Sequence, residues 1–182
     1  MTDKLARLRA QLPAVQDVAF LNTGTCGPLP TVTDAAIRHV IDAEYNTGRA
    51  GTDHFMQMMQ DGDAVRTDFA ALLHVAPESL ALTHHTTDGM NIATFGFDWQ
   101  PGDEVATTTL EHEAGLYPLY VVQTRFGVKI NFADVGLGAD PLDAIDAALT
   151  PRTRLLSLSH VSYSAGTCFP LREIIKLAHA KG

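Results

Sequence analysis

S-L-A-L-T-H-H-T-T-D-G-M-N, from Ser79 to Asn91, is where an apolar run gives way to a hydroxyl-rich turn and then to a helical pattern. The order reads as strand, loop, helix N-terminus. Leu80 to Thr83 is β-like, and Thr86, Thr87 and Asp88 are all residue types that cap helices. Met90, Ile92, Ala93 and Phe97 are spaced for the buried face of the helix that follows. The start of such a helix leaves backbone N–H groups without intrahelical acceptors. With hydroxyls beside them and the helix dipole behind them, these groups suit a phosphate. The same residues also suit ordinary capping. Neither a Walker lysine nor G-x-G-x-x-G is present, so this stretch alone does not separate a nucleotide, a sugar phosphate and a phosphorylated cofactor.

Beyond this stretch strand and helix signals alternate. Glu104 to Thr108 reads as extended, Glu113 to Arg125 as helical, Val128 to Val135 as extended and Asp140 to Leu149 as helical. Arg154 to His160 reads as a buried strand and Pro170 to Ala180 as a helix. This alternation predicts right-handed crossovers and a mainly parallel sheet, with ligands outside the carboxyl ends of the strands. Three loops leave those ends: Thr83 to Asp88, Thr109 to Ala114, and His160 to Cys168.

Upstream, Leu5, Leu8 and Leu12 lie at helical spacing until Pro13, and Val18 to Leu21 reads as a short extended piece. N-T-G-T-C-G-P-L-P, Asn22 to Pro30, is a loop dense in Gly and Pro. Thr31 to Tyr45 is an amphipathic helix with Thr31 or Thr33 as its cap, and Arg49 in the next polar loop reads as solvated surface. His54 to His74 is a long helix whose stripe of Phe55, Met58, Met59, Ala64, Val65, Phe69, Leu72 and Leu73 is expected to pack in the core.

The 182 residues suffice for one good-sized core, and 46% hydrophobic with 19% charged is a globular composition. Thirteen basic against 21 acidic residues give a net charge of −8 without a Lys/Arg-rich run, which argues against nucleic acid or an anionic membrane as partner. A small molecule fits better. The start of the chain lacks an apolar signal core and no apolar run approaches membrane-spanning length, so the expected location is the cytoplasm. Cys26 and Cys168 make neither a disulfide framework nor a metal cluster, and the histidines show no ligand spacing, so no metal is expected. No linker splits the chain, and one domain over residues 1–182 is the simplest organisation.

Glu111 and His112, in T-L-E-H-E-A-G, fall just past a strand and at a helix start, where an imidazole can stack on a flat heterocycle, stay neutral near the positive helix end, or simply pack. Taken in order, N-T-G-T-x-G-P-L-P, T-H-H-T-T-D-G-M-N, E-H-E-A and S-H-V-S-Y-S-A-G-T resemble the class V aminotransferase group of fold-type I pyridoxal phosphate (PLP) enzymes. The likeness is to cysteine desulfurases, selenocysteine lyases and isopenicillin N epimerase-like proteins, and runs from about Phe20 to the end. It implies an α/β three-layer sandwich with a mainly parallel sheet, the N-terminal portion of the aspartate aminotransferase-like large domain, preceded by a helical segment.

The resemblance further implies that Thr86, through its N–H, and Thr87, through N–H and hydroxyl, hold the PLP phosphate while His112 stacks on the pyridine ring. Asn22 and Thr23 would lie by the substrate's amino-acid end. Tyr163 stands where desulfurases carry an asparagine that bonds the cofactor's phenolic oxygen, a departure that weakens the desulfurase label more than the cofactor label. The implied activity is aldimine chemistry on a small amino acid, of lyase or desulfurase, epimerase or aminotransferase type, in a homodimer. The aspartate opposite the pyridine nitrogen and the Schiff-base lysine come later in the family than the last motif here. Lys129, Lys176 and Lys181 match no Schiff-base motif, and the A-H-A-K-G end reads as truncation. The alternative is a non-catalytic PLP- or phosphate-binding or interaction domain, if 182 residues is the natural length.

Overall fold

The computed structural model describes residues 2–136 and 138–182, in two units, Met1–Leu82 and Thr83–Gly182. The first unit is helical. Its helices are α1 (Thr2–Ala10), α2 (Thr31–Thr47) and α3 (Thr52–Leu73), with single 3-10 turns at Pro13–Val15 and Pro77–Ser79. Pro13 does end the first helix as expected, but Val18 to Leu21 joins no strand. The cap of α2 is Pro30 and not a threonine: the Thr31 N–H donates to the Gln11 carbonyl at 2.8 Å, and its hydroxyl donates to the Gln11 side chain. The tie across twenty residues takes the hydroxyl that local capping rules assign to the helix start.

The stripe on α3 departs further from expectation. Phe55, Met58, Met59, Phe69, Leu72 and Leu73 are all exposed, and Ala70 is the buried residue of that helix. Periodicity identifies which face is apolar, and the described residues of this chain do not cover it.

The second unit follows the strand and helix alternation. After α4 (Thr86–Phe95) come β1 (Glu104–Thr108), α5 (Glu113–Phe126), β2 (Lys129–Ala133), α6 (Pro141–Ala148), β3 (Thr153–Leu156) and α7 (Leu171–Ala180). The three strands form a parallel sheet in the order β2-β1-β3, with Glu104 opposite Lys129 and Thr108 opposite Ala133. β3 is shorter than the sequence suggests, although the Ser157 N–H still reaches the Ala106 carbonyl at 2.9 Å. Leu80 to Thr83 is irregular and not a strand.

Because successive side chains in a strand point to opposite faces, central strand β1 supplies two cores at once. Val105 packs with Trp99, Leu119, Val122 and Val128 on the α5 side. Ala106 packs with Ala133, Ile145, Phe169 and Ile174 on the side of α6 and α7. The result is helix, sheet, helix. Each fully buried Leu, Val or Ile here contributes roughly 1.5–3 kcal/mol relative to exposure. The apolar face assigned to α4 needs correction: Ile92 is exposed, and the buried residue of that helix is Thr94, whose carbonyl accepts from Trp99 Nε1 at 2.7 Å. The indole needs an acceptor inside the core and takes this one.

Gly102 shows why a turn precedes β1. Its φ of +87° suits glycine, and a Cβ there would lie 1.7 Å from Arg152 Nη2. Gly127, at φ +70°, ends α5 in the left-handed conformation that helix C-termini favour.

Candidate functional site

Two loops at the carboxyl ends of β1 and β3 carry a dense set of polar side chains. The first leaves β1 through Thr109, Leu110 and Glu111 and enters α5 at His112. His112 is the cap of that helix, its Nδ1 accepting from the Ala114 N–H at 3.0 Å. An accepting imidazole nitrogen carries no proton, so the ring proton sits on Nε2 and the ring is anchored to the helix start.

The second loop, after β3, folds back on itself. Val161 pairs with Cys168 in one antiparallel bridge, and the Ser162 N–H donates to the Thr167 carbonyl at 2.9 Å. Tyr163 lies on this turn with its ring centroid 4.6 Å from that of His112, at an interplanar angle of 70°. This edge-to-face placement is the favourable one for two aromatic rings. The structure therefore brings His112 and Tyr163 together.

Two residues tie the loops to each other. Ser162 is buried and donates from Oγ to the Leu110 carbonyl at 3.3 Å. Glu111 accepts from Thr108 Oγ1 at 2.7 Å, from the Ser159 N–H at 3.0 Å to each oxygen, and from Ser159 Oγ at 2.7 Å. Sequence reasoning noted where Glu111 falls but assigned it nothing, since its main partner is 48 residues away.

Helix α4, which packs against α5, begins differently from expectation. Its cap is His85, extended at φ −163° and ψ 169°, whose Nδ1 and carbonyl oxygen both face the Asp88 N–H, at 3.2 and 3.0 Å. None of the three expected residues is the cap, because the helix starts one position earlier than a threonine cap requires and the imidazole supplies the acceptor. Thr86 and Thr87 thus occupy the first two helical positions. Among the described residues neither N–H meets an acceptor. Asp88 accepts from the His84 ring at 3.1 Å and from the His84 N–H at 3.3 Å. Desolvation opposes its ionisation, but these bonds and the two imidazoles outweigh it and hold the carboxyl below the usual range.

The remaining candidates lie elsewhere. Asn22 and Thr23 belong to the first unit, where Asn22 Oδ1 accepts from Thr25 Oγ1 at 2.9 Å and shapes a local turn. Arg49 is held by Glu44 at 2.6 Å. Lys129 starts β2, opposite Glu104, and Lys181 donates to the Asp146 carbonyl at 2.7 Å after α7. Lys129 thus sits at the amino end of its strand, away from the two polar loops. Cys26 and Cys168 are free and exposed, and Cys168 Sγ lies 3.5 Å from His160 Nε2.

Among the described residues there is no group of three or more His, Cys, Asp or Glu side chains placed to hold a metal ion. Nor, among the described residues, is any helix long and apolar enough to cross a membrane.

The family model described as Aminotransferase class-V matches residues 18–182. A probable cysteine desulfurase of Methanothermobacter thermautotrophicus is 26% identical over 177 residues, covering 96% of this chain and 44% of that protein. The cysteine desulfurase CsdA of Escherichia coli is 29% identical, covering 97% and 46%. Among solved structures, a mutant of C-DES with glycine covalently linked to its PLP cofactor superposes with a TM-score of 0.89 at 28% identity, over 94% of this chain and 46% of that one. C-DES, described as a cystine C–S lyase in complex with its product cysteine persulfide, gives a TM-score of 0.87 at 29% identity, over 92% and 45%. The chain spans about half the length of the curated relatives it matches.

Proposed function

Because the chain belongs to the class-V aminotransferase family, we propose that it carries the phosphate- and ring-binding half of a PLP-dependent enzyme acting on an amino acid, of the lyase or desulfurase kind. The observation that carries this reading is the pair of histidine-capped helix starts. One presents the N–H groups of Thr86 and Thr87, and the other holds a flat imidazole against Tyr163. That donor set fits the cofactor: a doubly charged phosphate suits unpaired N–H groups at a ten-residue helix's positive end, and a pyridine ring suits an anchored aromatic face.

On this reading Thr86 and Thr87 bind the phosphate, with the Thr87 hydroxyl adding a third donor. The His112 ring orients the pyridine, and its Nε2–H is free to donate. Tyr163 supplies a phenol where the cofactor's own phenolic oxygen needs a hydrogen-bond donor. Bound there, PLP supplies the electron sink that labilises bonds at the substrate's α-carbon. Asn22 and Thr23 serve the substrate side. The names of the relatives favour a sulfur amino acid over an epimerase or aminotransferase substrate. A homodimer in the cytoplasm, with residues 1–182 forming one domain, completes the proposal.

The Schiff-base lysine and the pyridinium aspartate, which in the family this chain resembles come later than the last motif here, are placed outside residues 1–182, and none of Lys129, Lys176 and Lys181 is proposed for the lysine's role. The deciding experiment is intact mass of the protein purified from its natural source, before and after borohydride reduction. A reduced pyridoxyl adduct on a lysine outside residues 1–182 is the expected result. A mass equal to that of these residues, without adduct, would favour a non-catalytic binding domain.

The ring role has its own check. His112→Asn keeps an acceptor for the Ala114 N–H and removes the imidazole, whereas His112→Ala removes both. Both variants are expected to bind PLP about threefold to tenfold more weakly, the range of an aromatic stacking contact, with displaced cofactor absorption. The alanine variant alone should lose about 1 kcal/mol of stability through the missing cap. Unaltered affinity and spectrum in His112→Asn would remove the stacking assignment.

A further inference from the structure

We infer that Glu111 is the positioning residue of this site: its carboxylate clamps the loop that carries His112 to the loop that carries Tyr163. The inference rests on the reading of the site given above, and it adds a residue that the phosphate and ring anchors do not include.

The argument starts from the donors. Thr108 is the last residue of β1 and Ser159 lies just past β3, so the two partners of Glu111 stand at and beyond the carboxyl ends of neighbouring strands of one sheet. Glu111 Oε1 accepts from Thr108 Oγ1 and the Ser159 N–H, and Oε2 accepts from the Ser159 N–H and Oγ. Each contact presents a donor to an oxygen, which an ionised carboxylate satisfies completely and no other side chain of this length does. The clamp is half-buried, so water competes poorly for these positions.

Its place in the chain converts this local bond set into ring geometry. Glu111 directly precedes His112, the cap of α5, and Ser159 precedes Tyr163 by four residues in a turn closed at both ends. Ser162 adds a second tie, to the Leu110 carbonyl, on the other side of the same junction. The 4.6 Å separation and 70° angle of the two rings therefore depend on where Glu111 holds the loops. Without the carboxylate, the Ser159 N–H and two hydroxyls lose their acceptor and the Ser162 bond is left as the tie named here between the loops, which loosens the placement of the two rings.

The test reads the rings directly, in protein without cofactor. The His112 ring-proton NMR signals are displaced by the nearby Tyr163 ring, and Tyr163→Leu gives their position without that ring. In Glu111→Ala the signals are expected to move toward that reference, and PLP affinity to fall about tenfold, the loss expected when a charge-assisted contact no longer places the groups it serves. Glu111→Gln, which still offers one oxygen to the Ser159 N–H, should recover part of both. His112 signals in Glu111→Ala that coincide with those of the parent protein would overturn the inference. Should that variant fail to fold, Ser159→Ala decides from the other end of the clamp: a smaller displacement in the same direction supports the role, and none refutes it. A parent protein that binds no PLP would sink the cofactor reading while leaving the ring measurement intact, so the two failures are distinct.

Discussion

Replacing Thr86 by proline is expected to weaken PLP binding by about ten- to a hundredfold, the equivalent of one charge-assisted hydrogen bond, without lowering the melting temperature. The substitution is chosen for what it leaves alone. Thr86 is the first residue of α4, the position where proline is most at home in a helix, because the N–H it lacks has no intrahelical acceptor there. His85 is already extended, at φ −163° and ψ 169°, the region a residue before proline prefers. The cap survives as well, since the Asp88 N–H is served by His85. What disappears at the helix's positive end is one backbone donor, together with the Thr86 hydroxyl. Titration of PLP into parent, Thr86→Pro and Thr86→Val, which loses the hydroxyl alone, with inorganic phosphate as competitor, isolates the backbone donor. Thr87→Val, which keeps its N–H and loses the hydroxyl, should also weaken binding. Equal dissociation constants for Thr86→Pro and parent would place the phosphate somewhere other than the start of α4.

The elements that carry this site were legible to different degrees, and for identifiable reasons. β1 and α5 through α7 follow from alternation and from hydrophobic runs because each places apolar residues in one of the two cores of the second unit, Leu119 and Val122 from α5, Ile145 from α6 and Ile174 from α7 among them. Val105 and Ala106 show it: adjacent in sequence, they feed opposite cores. The stripe on α3 has an equally clear pattern, yet Phe55 and Phe69 are exposed, because a pattern states which face is apolar and not what covers it. The cap of α4 was misread for a chemical reason. Hydroxyl and carboxylate residues lead the preference for helix starts, and two imidazoles took the role here, at His85 and His112. Both use Nδ1, and for His112 that choice leaves Nε2 outside the cap. That Thr86 and Thr87 lie at the start of a helix was readable because hydroxyls and helix start lie side by side in the sequence. Glu111 was not, because Ser159 reaches it only once β1 and β3 pair.

At the opposite end of the sheet, Glu104→Ala is expected to cost about 3 kcal/mol of stability and Glu104→Gln much less. Glu104 opens β1 and is buried, and a single carboxylate oxygen, Oε2, accepts from Asn131 Nδ2 at 2.6 Å and from Thr150 Oγ1 at 2.8 Å. Asn131 stands in the middle of β2 and Thr150 precedes β3, so this oxygen at the amino end of β1 ties that strand to both neighbours, much as Glu111 ties carboxyl ends. Alanine strands two donors in a buried place, whereas the glutamine oxygen can keep both. The two variants also separate charge from hydrogen bonding. The bonds from Thr150 and Asn131 hold the Glu104 carboxyl below its ordinary range; burial works against them, and Lys129 and Arg152 add to them. With the folded value below the unfolded one, the unfolded chain binds more protons in that interval, so stability rises with pH across it. The contribution is complete above the ordinary glutamate range near about pH 4.3 and is lost as pH falls through the lower folded value. Denaturant unfolding of Glu104→Gln should therefore run flatter than the parent through the acid limb and parallel to it at neutral pH. Identical acid limbs would mean that the Glu104 charge contributes nothing and that the strand ends are held by hydrogen bonds alone. Because no cofactor enters this measurement, it tests the frame on which the Thr86 and His112 sites depend separately from what they bind.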